Sequence, residues 1–150
     1  GDPGRPTVAT LAVDPARVEE ALLLVDSGST RETVAEAPWP ATADRARGLR
    51  DTLVEGRFAD ATAVLSAQWQ ETQGRTPGLT TAEIDAVVRL VERAGGAAWA
   101  CGRGPGGLLG VWAPPGDRGP GIREAVTRAL GDAGVRLFPA RVDLLGLDVA

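Results

Sequence analysis

Apolar residues recur along this 150-residue chain with two different periods, and the switches between them mark out the elements. Continuous or alternating apolar runs of four to eight residues are the mark of strands. The first runs from Thr7 to Val13 and is closed by Asp14-Pro15; the second, Ala21 to Asp26, is uninterrupted and reads as a buried strand. Ser29 and Glu32 then stand at capping-box spacing, which predicts a helix start, before Pro38-Trp39-Pro40 interrupts. From there the spacing becomes three and four. Ala46, Leu49 and Leu53 share one helical face that ends near Gly56, and Phe58, Ala61, Leu65 and Trp69 share another that ends near Gly74. Thr80 and Glu83 form a second capping box. The helix it opens carries Ile84, Val87, Val88 and Val91 on its buried stripe and stops at Gly95-Gly96.

Two further apolar runs, from Ala97 to Cys101 and from Leu108 to Pro114, flank a turn dense in glycine and predict a hairpin. Ile122, Ala125, Val126, Ala129 and Leu130 then line one face of a last helix, capped by Gly134. Val135 to Leu144 reads as a final strand, in which Pro139 predicts an edge position or a bulge. The order is strand, helices, strand, strand, helix, strand. It predicts an α+β fold, a ferredoxin-like βαββαβ plait with an extra N-terminal strand and additional helices in the first crossover. A chain of this length suits one domain over residues 1–150, burying about two-thirds of its unfolded surface.

Composition narrows the chemistry. A net charge of −4 gives no basic excess to neutralise phosphates, which argues against a nucleic-acid or anionic-membrane partner. No apolar run approaches membrane-spanning length and the N-terminus lacks a signal-peptide pattern, so a cytoplasmic protein is expected. Lys, His, Met, Tyr and Asn are all missing, while Ala, Gly, Arg and Pro abound, which points to a high-GC bacterial genome. Without His there is no Ser-His or Cys-His dyad, and without Lys no Schiff base or P-loop lysine. Cys101 is the lone cysteine, so Cys/His metal sites and an internal disulfide are both excluded. The expectation is that the chain itself carries no catalytic residue and no metal site. With no Met ahead of Gly1, either an initiator was removed or the chain is a piece of a longer protein.

Two clusters can still hold an anion. Gly102, Gly104, Gly106 and Gly107 leave the hairpin turn with few side chains, so backbone N–H groups can approach phosphate oxygens closely. Arg103 adds the one charged side chain there; its guanidinium suits bidentate phosphate contacts, and the competing reading points it into water. The second cluster, Asp26 to Arg31, joins a strand end to a helix start, where unpaired N–H groups attract anions. Plain helix capping competes for Ser29 and Glu32, and Asp26 either accepts a sugar hydroxyl or ends the strand. Trp69, Trp99 and Trp112 read as packing residues and Cys101 as a small buried hydrophobe.

Together these stretches resemble the C-terminal half of the GHMP kinases, the superfamily of galactokinase, homoserine kinase and mevalonate kinase, with the heptose-phosphate kinase relatives nearest. Leu22 to Thr33 (LLLVDSGSTRET) resembles the family's strand ending in Thr-Gly-x-x-Arg. Gly78 to Asp85 resembles its helix start, and Cys101 to Leu108 (CGRGPGGL) its glycine-rich third motif. The resemblance implies a ferredoxin-like domain of an ATP-dependent small-molecule kinase, with a sugar as acceptor. It implies that Gly102, Arg103, Gly104, Gly106 and Gly107 lie at the nucleotide phosphates, and Asp26, Ser27 and Arg31 toward the acceptor. ATP and Mg²⁺ are implied as cofactors. The family's Pro-x-x-x-Gly-Leu-Gly-Ser-Ser phosphate loop, Mg²⁺ ligand and catalytic Asp belong to its other half, which nothing here matches. The implied partner is that missing N-terminal half, in the same polypeptide or a separate chain, and these residues alone would be inactive. Arg103 stands where the family usually has Ala, and Pro105 stiffens a position often Gly. The alternative is a stand-alone ferredoxin-like domain that binds a small anion or a protein partner without catalysis.

Overall fold

The computed structural model describes residues 10–28, 42–101, 107–116 and 121–143. It opens on helix α1 (Pro15–Ala21), followed by strand β1 (Leu22–Asp26) and three helices, α2 (Thr42–Val54), α3 (Phe58–Arg75) and α4 (Ala82–Arg93). A hairpin of β2 (Ala97–Ala100) and β3 (Leu108–Trp112) comes next, then α5 (Ile122–Asp132) and β4 (Leu137–Pro139). The four strands form one open sheet in the order β2-β3-β1-β4, and every neighbouring pair is antiparallel. The fold is α+β.

The expected extra N-terminal strand is corrected where it can be seen. Residues 10–13 carry no strand, and the stretch after them, Pro15–Ala21, is a helix. The physical reason lies in Asp14-Pro15. The Asp14 carboxylate accepts from the Ala16 N–H at 3.0 Å, and Pro15 occupies the first turn, where its missing N–H costs nothing. The capping-box reading of Thr80 is corrected by one residue: Thr81 is the N-cap, its hydroxyl accepting from the Ile84 N–H at 3.3 Å. The final strand is also shorter than expected, three residues instead of ten.

The glycine stops after α2, α4 and α5 hold, whereas Gly74 lies inside α3. Helices α2, α4 and α5 end in the same Schellman geometry, in which the second residue past the cap donates back to the carbonyl five residues earlier. The bonds are Arg57 N to Thr52 O at 2.8 Å, Gly96 N to Val91 O at 2.9 Å and Val135 N to Leu130 O at 3.0 Å. Each leaves a glycine at positive φ just past the cap, Gly56, Gly95 and Gly134. In α5 this bond ties up the Val135 N–H, which is why β4 starts only at Leu137. Pro139 sits on the edge strand, the position a residue without a backbone donor can occupy.

Alternation along the strands sends side chains to two faces. Leu23, Val25, Leu109, Val111 and Ala98 face one core, closed by Ile84, Val87, Val88 and Val91 of α4 and by Val126 and Leu130 of α5. Ile84, Val91, Val126 and Leu130 are wholly buried, each worth about 1.5–3 kcal/mol in hydrophobic transfer. A smaller core lies against one end of the opposite face. There Phe58 stacks on Trp112 with ring centroids 5.8 Å apart, beside Ala21, Ala61 and Ala97, and the Arg17 guanidinium lies 4.4 Å from the Phe58 centroid. Trp69 and Trp112 are buried and Trp99 half-buried, so the three serve packing as expected. No helix of the described residues is long and apolar enough to cross a membrane.

Candidate functional site

The two clusters singled out in the sequence meet at one end of the sheet. β1 ends at Asp26, directly opposite Leu108, the first residue of β3. Pairing continues one residue past both strands, because the Ser27 N–H donates to the Gly107 carbonyl at 3.0 Å. On the other side of β3 the Cys101 N–H donates to the Leu108 carbonyl, also at 3.0 Å, so the hairpin stays paired up to its turn. Gly107 leaves that turn at φ +75°, a left-handed conformation that a side chain would strain. Ser27 is buried. Of the expected site residues, the structure brings together Asp26, Ser27 and Gly107. Gly102, Arg103, Gly104, Gly106 and Arg31 lie outside the described residues, as do Ser29 and Glu32.

Asp26 is the best-defined group here. One carboxylate oxygen accepts from the Gly28 N–H at 2.9 Å, closing an Asx turn, and the other pairs with the Arg136 guanidinium. The strand backbone reinforces the arrangement, since the Asp26 N–H donates to the Arg136 carbonyl at 3.1 Å. The Gly28 N–H first, and Arg136 second, hold the Asp26 carboxyl below its ordinary value. A carboxylate so stabilised is a poor proton acceptor. It keeps lone pairs free for hydroxyl donors, so its chemistry is recognition and orientation.

Sequence reasoning missed Arg136. It lies just before β4, far along the chain from Asp26, and only the β1–β4 pairing makes the two neighbours. No local spacing carried that signal.

No family model matches the sequence, and no curated protein matches it. Among solved structures, the chain is similar to the phosphomevalonate kinase of Streptococcus pneumoniae, with a TM-score of 0.61 at 12% identity over 81% of this chain and 40% of that one. It is similar to L. major mevalonate kinase in complex with R-mevalonate, with a TM-score of 0.55 at 16% identity over 75% of this chain and 38% of that one. A further mevalonate kinase matches with a TM-score of 0.57 at 16% identity over 84% of this chain and 41% of that one. The chain thus shares its fold with part of these phosphomevalonate and mevalonate kinases, and spans about two-fifths of the length of the solved chains it matches.

Proposed function

We propose that this chain is the C-terminal part of an ATP-dependent GHMP-type kinase for a small hydroxyl-bearing molecule, a sugar on the strength of the sequence resemblance. The strand order β2-β3-β1-β4, entirely antiparallel, supports reading the sheet as a ferredoxin-like plait with α2 and α3 as additions to its first crossover. The observation that carries the proposal is the Ser27–Gly107 hydrogen bond. It sets the outgoing end of the glycine-rich turn against the end of β1, so a phosphate at the turn and an acceptor hydroxyl at Asp26 would be neighbours.

Within this reading the turn from Gly102 to Gly107 offers main-chain N–H groups, and Arg103 a guanidinium, to the nucleotide phosphates. Asp26 orients the acceptor by accepting from a hydroxyl, with Arg136 holding the carboxylate in place; Ser27 and Arg31 complete that side. Phosphoryl transfer is positioning and charge neutralisation above all. Among the described residues no three Asp, Glu, Cys or His side chains converge on a point where a metal ion could sit. On the family resemblance, the metal ligands and the proton acceptor belong to the complementary half.

The test is reconstitution. The chain alone is expected to show negligible ATP turnover, the chain joined to its complementary half full transfer, and Gly104→Val in the joined protein a large loss of turnover. Robust transfer by the 150 residues alone would overturn the proposal. Saturable binding of ATP or inorganic phosphate that needs no Mg²⁺ and no second half, read by Trp fluorescence, would favour a non-catalytic binding module.

A further inference from the structure

Among the described residues, the second face of the sheet is apolar as far as Asp26 and is covered only at its other end. Side chains directly opposite in antiparallel pairs share a face. The registers Leu22↔Trp112, Leu24↔Gly110, Asp26↔Leu108, Leu24↔Phe138 and Trp99↔Gly110 therefore put all of these on one side. The Trp112 end lies beneath Phe58 and its neighbours. At the Asp26 end, Leu108 is 42% exposed and Phe138 41%, and neither they nor Leu24 join either core. Phe138 is one of only two phenylalanines in the chain, and the other, Phe58, is buried.

We infer that this uncovered end of the sheet is the docking surface for the complementary part of the kinase, an inference that rests on the function proposed above. Three observations select that occupant. The matched kinases are covered over 40%, 38% and 41% of their chains, so more than half of each has no counterpart here. The apolar patch is continuous with the candidate site, because Leu108 pairs with Asp26 itself. Its margin is polar: the Arg136 guanidinium, paired with Asp26, lies 6.0 Å from the Phe138 ring centroid. An apolar centre with a charged rim is how interfaces between folded units are built. A unit seated on Leu24, Leu108 and Phe138 shields that face and completes the site from the side on which Asp26 is presented.

The experiment uses the polypeptide encoded in frame ahead of Gly1, or by the adjoining reading frame, that carries a Gly-Leu-Gly-Ser-Ser-like segment. It is titrated calorimetrically into the chain, and ADP release is followed in the mixture. Leu108→Glu and Phe138→Glu are each expected to weaken association by roughly tenfold or more. Val54→Glu, an equally exposed apolar position on α2, is expected to leave it unchanged. All three sites are exposed, so the variants should keep the wild-type circular dichroism; Leu108→Glu, directly opposite Asp26, should melt somewhat lower, and Phe138→Glu is the variant expected to keep the wild-type melting behaviour. Association and turnover that survive both sheet substitutions would overturn the docking surface and leave the kinase reading intact. Association lost in both variants, with no turnover in any mixture, would uphold the surface and overturn the kinase reading. Self-association of the chain alone, abolished by Leu108→Glu, would assign the face to a second copy and overturn the inference.

Discussion

The ring of Trp99 packs against Gly110 on the neighbouring strand. A Cβ on Gly110 would come within 2.5 Å of two of its ring carbons and 2.8 Å of its nitrogen. Gly110→Ala must therefore push the indole off its seat. A cost of about 1–3 kcal/mol is expected, as for other overpacked sites. Urea unfolding followed by Trp fluorescence checks it: an unshifted midpoint and emission maximum would show that the ring has room.

The Asp26–Arg136 pair predicts a pH dependence. Asp26 carries a folded-state pKa below its unfolded value of 3.8, so its stabilisation is present in full above that value and is lost as pH falls through the lowered pKa. Asp26→Asn keeps an acceptor for the Gly28 N–H and removes only the charge. The variant should melt below the wild type at neutral pH, with the gap closing as the pH drops below about 4. A gap independent of pH would mean that the charge contributes nothing.

Two buried polar atoms on α3, the Thr62 hydroxyl and the Trp69 indole nitrogen, have no hydrogen-bond partner. Thr62→Val removes the first without changing the side chain's shape much. The helix propensities of the two residues are close, so a gain of about 1 kcal/mol is expected from the desolvation no longer incurred. Thermal or chemical unfolding measures it directly, and a loss of stability would show that the hydroxyl is satisfied in solution.

The start of α4 separates two neighbouring threonines. Thr81→Ala deletes the cap on the Ile84 N–H and should cost about 1 kcal/mol. Thr80→Ala should stay within about 0.5 kcal/mol, as surface changes without a structural role do. Equal effects in paired unfolding curves would contradict the cap assignment. The Glu83 carboxylate, held below its ordinary value by its own backbone N–H and then by the Thr81 hydroxyl, belongs to the same helix start.

Much of the fold was legible because strong periodicity survived in the sequence. The α4 stripe Ile84, Val87, Val88, Val91 and the glycine stops after α2, α4 and α5 are local signals, and the structure uses them as read. Misreadings arose where one short motif serves two purposes. Asp14-Pro15 can close a strand or open a helix, and only the cap geometry at Ala16 decides. The site was half legible: Asp26, Ser27 and Gly107 were marked by chain chemistry, whereas Arg136 joins them through strand pairing, which no spacing encodes. The exposed end of the sheet was likewise invisible, since Leu108 and Phe138 read as ordinary alternating strand residues until their neighbours are known.

The sheet's central seam joins Leu22 to Trp112 and Leu23 to Val111, with three helices and the whole of β2 lying between them in sequence. Neither inner strand can be satisfied until that long stretch has closed on itself. Loop closure must be met before the contacts that reward it, which slows the search. Refolding should accordingly be slower than for a helical bundle of equal length. Until the seam zips, Leu22 to Val25 remain an unpaired apolar ribbon, the segment most apt to capture another chain during synthesis.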